Sequence, residues 1–294
     1  MINVVRAEIL KLRTTNVWWL FGIGIIVMTA ISFFFNAISA HFELHPQQPD
    51  FGTANVSAED RQQAEAQYQQ DLAVANNTAT LLKAAANLYT SGQFFGALFV
   101  MILGALIVTN EFAHQTATAT FLTKPHRTTV IVGKLIGGVV MAAFFWLITT
   151  ILDVIAGAIF LSTQDRGNVL GDWSVQRTVL LNLAAYACWA VLGVGLGVLI
   201  RSQIGAVVTG AVLYLIGFVA GAIVFTLIRQ YLIKQDWVDT AQVILPAVAS
   251  QVMVTVGRAF EHAPPQWVGA AVLIGYGVVA GVIGTLITRR RDIS

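Results

Sequence analysis

Charge is what this chain has least of. Only 11% of its residues are Asp, Glu, Lys or Arg, against about a quarter in soluble domains, and so sparse a complement does not keep a chain dispersed in water. The net charge of +2 leaves no concentrated basic surface for nucleic acid. A single cysteine, Cys188, excludes an intrachain disulfide. It sits in an apolar run, where packing is its expected role. No phosphate-binding loop is present: that motif needs Gly-x-x-x-x-Gly-Lys-Ser/Thr, and Gly133-Lys134-Leu135 lacks both the earlier glycine and the hydroxyl. The five histidines (His41, His45, His114, His126, His262) all fall in loops or at span ends, which places a membrane-embedded protease last, because it needs a nucleophile and a base on facing spans. His41 and His45 are four residues apart but lack a strong third metal ligand.

What is abundant is apolar. Hydrophobic residues make up 56% of the chain, in runs long enough to cross roughly 30 Å of hydrocarbon. The pattern predicts an all-α polytopic membrane protein of six transmembrane helices in a single domain, residues 1–294. Residues 1–16 carry Ile2, Val5, Ile9 and Leu12 at helical spacing with Arg6, Lys11 and Arg13 elsewhere on the surface, the signature of a helix lying in the membrane interface. Trp18 and Trp19 lead a first span that runs to about Ala40. It is too long for the apolar core of a signal peptide.

Residues 41–92 turn polar and are expected to form an extracytoplasmic helical insertion between spans 1 and 2. Ser57 with Asp60 resembles a capping box that opens it. Tyr68, Leu72, Ala75, Ala79, Leu82 and Ala86 share one face, so the segment reads as an amphipathic helix or hairpin docked outside the bilayer. The sequon at Asn76, Asn77 and Thr78 falls within this helical stretch, a poor glycan acceptor.

The remaining spans are expected at about 94–109, 130–162, 179–200, 204–233 and from Trp267 to the arginines at 289–291. The third run would make a helix of about 50 Å, so its basic start near Lys134 must project past the membrane. Only Arg201, Ser202 and Gln203 separate the fourth and fifth runs, which forces an antiparallel hairpin. Between residues 234 and 266, Pro246, Pro264 and Pro265 interrupt an apolar stretch too short to cross, the pattern of an interfacial or re-entrant helix. With six spans, the N-terminus, the second link, the Arg201 turn and the arginine-rich tail share one face, and by the positive-inside rule both termini are cytoplasmic.

The most informative stretch is that second link, residues 110–128, NEFAHQTATATFLTKPHRT. It is too polar for lipid and too patterned for a plain loop. Here the chain resembles the integral membrane subunit of type-two ABC transporters, in which an acid, an aromatic, a threonine-bearing helix, a Leu, a Pro, an Arg and then a Lys join the second and third spans. The matching positions are Glu111, Phe112, Thr116, Leu122, Pro125, Arg127 and Lys134. The resemblance extends to the Arg-Ala-Glu-x-x-Lys-Leu-Arg helix (Arg6 to Arg13), the six spans, the broken segment before the last span and the basic tail. The chain departs from the frequent pattern at Ala113, where a basic residue is often found, and at Gln115, where glycine is common.

The resemblance implies that the link is a coupling helix docking into a separate ATP-hydrolysing subunit, with Glu111, Phe112, Thr116, Phe121, Leu122, Pro125 and Arg127 as the coupling residues. It implies two copies of that subunit, which carry ATP and Mg, and a second permease subunit, identical or related, in a bacterial cell membrane. This chain would then be no enzyme and hold no cofactor; export is the direction the family suggests. Glu111 is expected either to pair with a basic residue of the same chain or to sit among interfacial waters.

Inside the spans one acid stands out, Asp153, with Thr149 and Thr150 one turn earlier. Intramembrane charge is costly and marks function by default, so Asp153 and Thr149 are candidates for a substrate path; the bland alternative is a buried acid bonded to a neighbouring helix. An ion-coupled secondary transporter or channel using Asp153 is the competing function. Arg229 near a span end is expected to snorkel. Gly193 and Gly197, Gly217 and Gly221, and Gly277 and Gly281 make small faces for close helix approach, more often within one subunit than between two.

Overall fold

The structure is a computed structural model that describes residues 2–15, 17–52, 56–115, 127–167, 169–233 and 235–290. These residues are almost wholly helical. They include six helices long and apolar enough to cross a membrane.

Helix α1 (Ile2–Thr14) is followed by α2 (Val17–Leu44). The latter runs past the expected end at Ala40 because nothing breaks it before Pro46. Helix α3 (Ala58–Ala75) starts as the Ser57 and Asp60 pair predicts: Ser57 Oγ accepts from the Asp60 N–H at 3.1 Å and donates to Asp60 Oδ2 at 2.7 Å. The helical stretch then breaks at a corner. Asn76 ends α3, and Asn77 caps α4 (Thr78–Tyr89) through its side-chain oxygen, 2.9 Å from the Ala79 N–H. The sequon asparagine therefore lies at a turn and not within a helix.

Helix α4 departs from the picture of a detached insertion. It lies nearly in line with α5 (Gln93–Ala113), and the two together make one 36-residue candidate span, Thr78–Ala113, broken only around residues 90–92. Ala84, Ala85, Leu88 and Tyr89 are buried in a cluster with Ala40 and Leu44 of α2 and with Leu161 and Val175. Small side chains let α4 sit that deep.

The third span is α6 (Arg127–Thr163), the fourth α7 (Trp173–Leu199) and the fifth α8 (Gln203–Leu227), which passes into a π-helical turn, Ile228–Leu232. Asp172 caps α7: its carboxylate accepts from the Ser174 N–H at 2.8 Å, and this bond with the Ser174 hydroxyl holds the acid below its ordinary pKa. A short helix α9 (Trp237–Ala241) and its 3-10 extension meet α10 (Pro246–Val254) at a bend of 105°. This is the expected broken segment, with Pro246 opening its second arm. Helix α11 (Gln266–Arg290) is the last span.

Helix α5 forms the axis of the bundle, and glycine decides how close its neighbour comes. A Cβ on Gly193 would fall 1.9 Å from the Met101 carbonyl oxygen, one on Gly197 2.6 Å from that of Ala105, and one on Gly104 2.4 Å from that of Ala190. Helices α5 and α7 thus meet backbone to backbone, the geometry that small residues allow in membrane bundles. The Gly193 and Gly197 face is spent inside the subunit. By contrast, α2, α8 and α11 ring the bundle with exposed apolar side chains such as Phe34, Phe35, Leu213, Ile216 and Val278. A Cβ on Gly217 would meet nothing within 4 Å.

Candidate functional site

Two ends of the bundle differ in chemistry. One gathers α1, the end of α5, the start of α6 and the turn between α7 and α8. Four charged side chains from three of these elements meet there in an alternating arrangement. Lys11 Nζ lies 2.9 Å from Glu8 Oε1 and 2.6 Å from Glu111 Oε1; Lys134 Nζ lies 3.1 Å from Glu8 Oε2 and 2.9 Å from Glu111 Oε1. Lys134 also donates to the Ile107 carbonyl at 3.1 Å.

Each charge is placed by its helix. Glu8 and Lys11 are three apart and so project from one face of α1. Glu111 sits in the last turn of α5, where unpaired carbonyls attract a cation; Lys134 supplies it. Lys134 is only 2% exposed, Glu8 4% and Glu111 6%. Bare charges so deep would be prohibitive, and two acids with two bases cancel them. The basic start of the long third helix is therefore covered by α1 and not left bare. Burial alone would lower the Lys11 pKa, but hydrogen bonds and attraction from Glu111 and Glu8 prevail and raise it.

Phe112, the next residue of α5, takes the guanidinium of Arg201 over its ring, 5.3 Å from the centroid. This cation–π contact ties the turn between α7 and α8 to the same helix end. Helix α5 stops just beyond, with Gln115 in the left-handed region at φ 56°. That conformation explains why glycine suits this position. A cleft of about 310 Å³ opens beside the cluster, lined in part by Glu8, Lys11, Asn110, Glu111 and His114.

Of the predicted coupling residues, Glu111 and Phe112 belong to the final turn of the span helix itself, so the link begins later than position 110. Thr116, Phe121, Leu122 and Pro125 lie outside the described residues, as does the side chain of Arg127, whose backbone opens α6. Glu8, Lys11 and Arg201 are the partners that a residue-by-residue reading does not single out. The signal for the first two is the acid and base three apart on a short interfacial helix.

The candidate path residues lie near the other end. Asp153 is 2% exposed and its Oδ2 accepts from the Gly92 N–H at 2.9 Å. The Tyr186 hydroxyl donates to the Gly92 carbonyl at 3.0 Å and lies 3.3 Å from Thr149 Oγ1. Gln93 and Trp189 both donate to Ser250 Oγ, at 2.5 and 3.2 Å. Side chains from α5, α6, α7 and α10 thus converge where α4 and α5 are interrupted. Among them, Asp153 satisfies the Gly92 N–H that the break sets free.

Residues 2–293 match the family model described as "ABC-2 family transporter protein". Comparison with curated proteins found no match.

Proposed function

The chain belongs to the ABC-2 transporter family, and from that premise we propose that it is the transmembrane subunit of an ATP-driven exporter whose ATPase is a separate subunit docking on the link between α5 and α6. The observation that carries this reading is the cluster of Glu8, Lys11, Glu111 and Lys134, which ties together the two helix ends from which the link departs. A displacement imposed on the link has no slack to take up at either root and must move α5 and α6 as rigid bodies. Helix α1 moves with them because Glu8 and Lys11 belong to the same ion network.

In this reading two ATPase copies bind ATP and Mg, and two permease subunits, identical or related, enclose the path. The broad exposed faces of α2 and α8 supply surface for lipid and for that second subunit. The charged end, the N-terminus and the C-terminus face the cytoplasm of a bacterial cell, in keeping with the basic residues gathered there. Export as the direction rests on family analogy. Asp153 and Thr149 shape the path from its edge: by engaging Gly92 and Tyr186 they set the angle at which α5 begins.

The test is co-purification of the tagged chain with candidate ATP-binding subunits, followed by bound ATPase activity. The native chain retains a stoichiometric ATPase, and Glu111→Lys and Phe121→Asp lose the subunit or its activity. A chain that purifies alone, with both variants behaving as native, defeats the reading and returns attention to an ion-coupled carrier.

A further inference from the structure

A second charged cluster lies at the opposite end of the bundle, on a stretch where the helix is not α. Ile228–Leu232 winds as a π-helix, closed by the Ile233 N–H donating to the Ile228 carbonyl at 2.8 Å. Such a turn holds one residue more than an α turn, so reverting it rotates everything beyond by about 100°. An α and a π form of one turn are discrete arrangements, the kind of element a switch requires.

Arg229 occupies this turn, at the end of the span. Its guanidinium pairs with Asp239 and, at 3.2 Å, with Asp236. His262 closes the group, with Nδ1 3.2 Å from Asp239 Oδ2 and Nε2 3.6 Å from Asp236 Oδ2. The Thr240 hydroxyl adds a bond to the His262 carbonyl at 2.9 Å. One guanidinium thereby joins the π turn to the α9 arm of the broken hairpin and to the loop before α11. A cavity of about 500 Å³ beside it, lined by Thr226, Arg229, Gln230 and Asp236, leaves room for the helix end to swing. The other attachments of α8 lie farther down: Tyr214 donates to the Phe94 carbonyl at 2.7 Å, Phe218 packs on the Phe94 ring, and Leu245 sits over Gly221.

We propose that Arg229, Asp236, Asp239 and His262 form a latch that holds the end of the fifth span in π register against the broken hairpin, and that releasing Arg229 lets this turn revert to α geometry and swing away. In a permease such a latch guards the mouth of the path at this end, a consequence that rests on the function proposed above. The latch itself does not.

The experiment places spin labels at Leu232→Cys and Ile244→Cys, both exposed, in the full chain carrying Cys188→Ala, reconstituted in lipid vesicles without any ATPase. The native latch predicts one narrow short distance. Arg229→Gln and Asp239→Asn shift the population to a second, longer distance, and Arg229→Lys, which keeps the charge, retains most of the short one. Should Arg229→Gln fail to fold, Asp236→Asn and Asp239→Asn carry the same expectation. Folded variants with the native distance distribution overturn the latch. Because no partner is present, that result is separable from failure of the ATPase to bind.

Discussion

Lys134 Nζ lies 2.9 Å from Glu111 Oε1, so the root of the third span is pinned to the end of the second across the link between them. With Lys134 2% exposed, the pair has little water to fall back on. Lys134→Met strands two buried carboxylates with only the half-exposed Lys11 to balance them, and is expected to destabilise the folded chain by about 3 kcal/mol. Adding Glu111→Gln should recover part of the loss. Thermal unfolding in detergent reads both, and a Lys134→Met protein as stable as native defeats the account.

Lys11 predicts a pH dependence. Its folded pKa is raised above its ordinary value of 10.5, so the stability it contributes is present below that value and is lost as pH rises through the higher folded pKa. The mobility of a spin label at Leu10→Cys on α1, in the Cys188→Ala background, should be flat between about pH 6 and 9 and rise only in strong alkali. Release of α1 near neutrality contradicts this.

Glycine substitutions should separate two helix faces. Gly193→Ala places a methyl 1.9 Å from a backbone carbonyl that no side-chain rotation relieves, and is expected to cost at least about 1–3 kcal/mol. Gly217→Ala meets nothing within 4 Å in the subunit and should gain up to about 1 kcal/mol in helix propensity. Loss of self-association in the Gly217 variant, with the monomer still folded, would instead place that face in a subunit interface.

Gln115→Gly relieves the left-handed backbone at the end of α5 and is expected to stabilise by about 1 kcal/mol. Equilibrium unfolding checks the sign; a destabilised variant shows that the Gln115 side chain contributes more than the backbone strain removes.

Asp153→Asn keeps an oxygen to accept the Gly92 N–H, whereas Asp153→Leu leaves that donor buried and unpaired at a cost of about 1–3 kcal/mol. The Asn variant should match native in unfolding temperature and in bound ATPase activity, and the Leu variant should fall in the first. Abolished function in a stable Asn variant would mean that the charge acts directly in the path.

Much of the architecture was legible residue by residue. The Ser57 start of α3, the hairpin at Arg201, the broken segment at Pro246 and the six apolar runs all rest on spacings within one element. That α4 continues the line of α5 across the break at Gly92 was not, because α4 looks amphipathic and polar at its start; the packing of Ala84, Ala85 and Leu88 shows it. Glu111 was visible as an acid needing a partner. Which of several nearby bases would serve was not.

The sequence by itself determined that this chain lives in a membrane and which six runs are long and apolar enough to cross it, since apolar length, proline and capping side chains act locally. Only the tertiary structure decided which charges meet. Glu8 and Lys134 are 126 positions apart, and no periodicity connects them; what does is the cost of burying either alone. The same holds for Arg229, whose partners Asp236 and Asp239 no periodicity of the fifth span could name. Pairing of buried charge is decided between helices, after each helix has already formed.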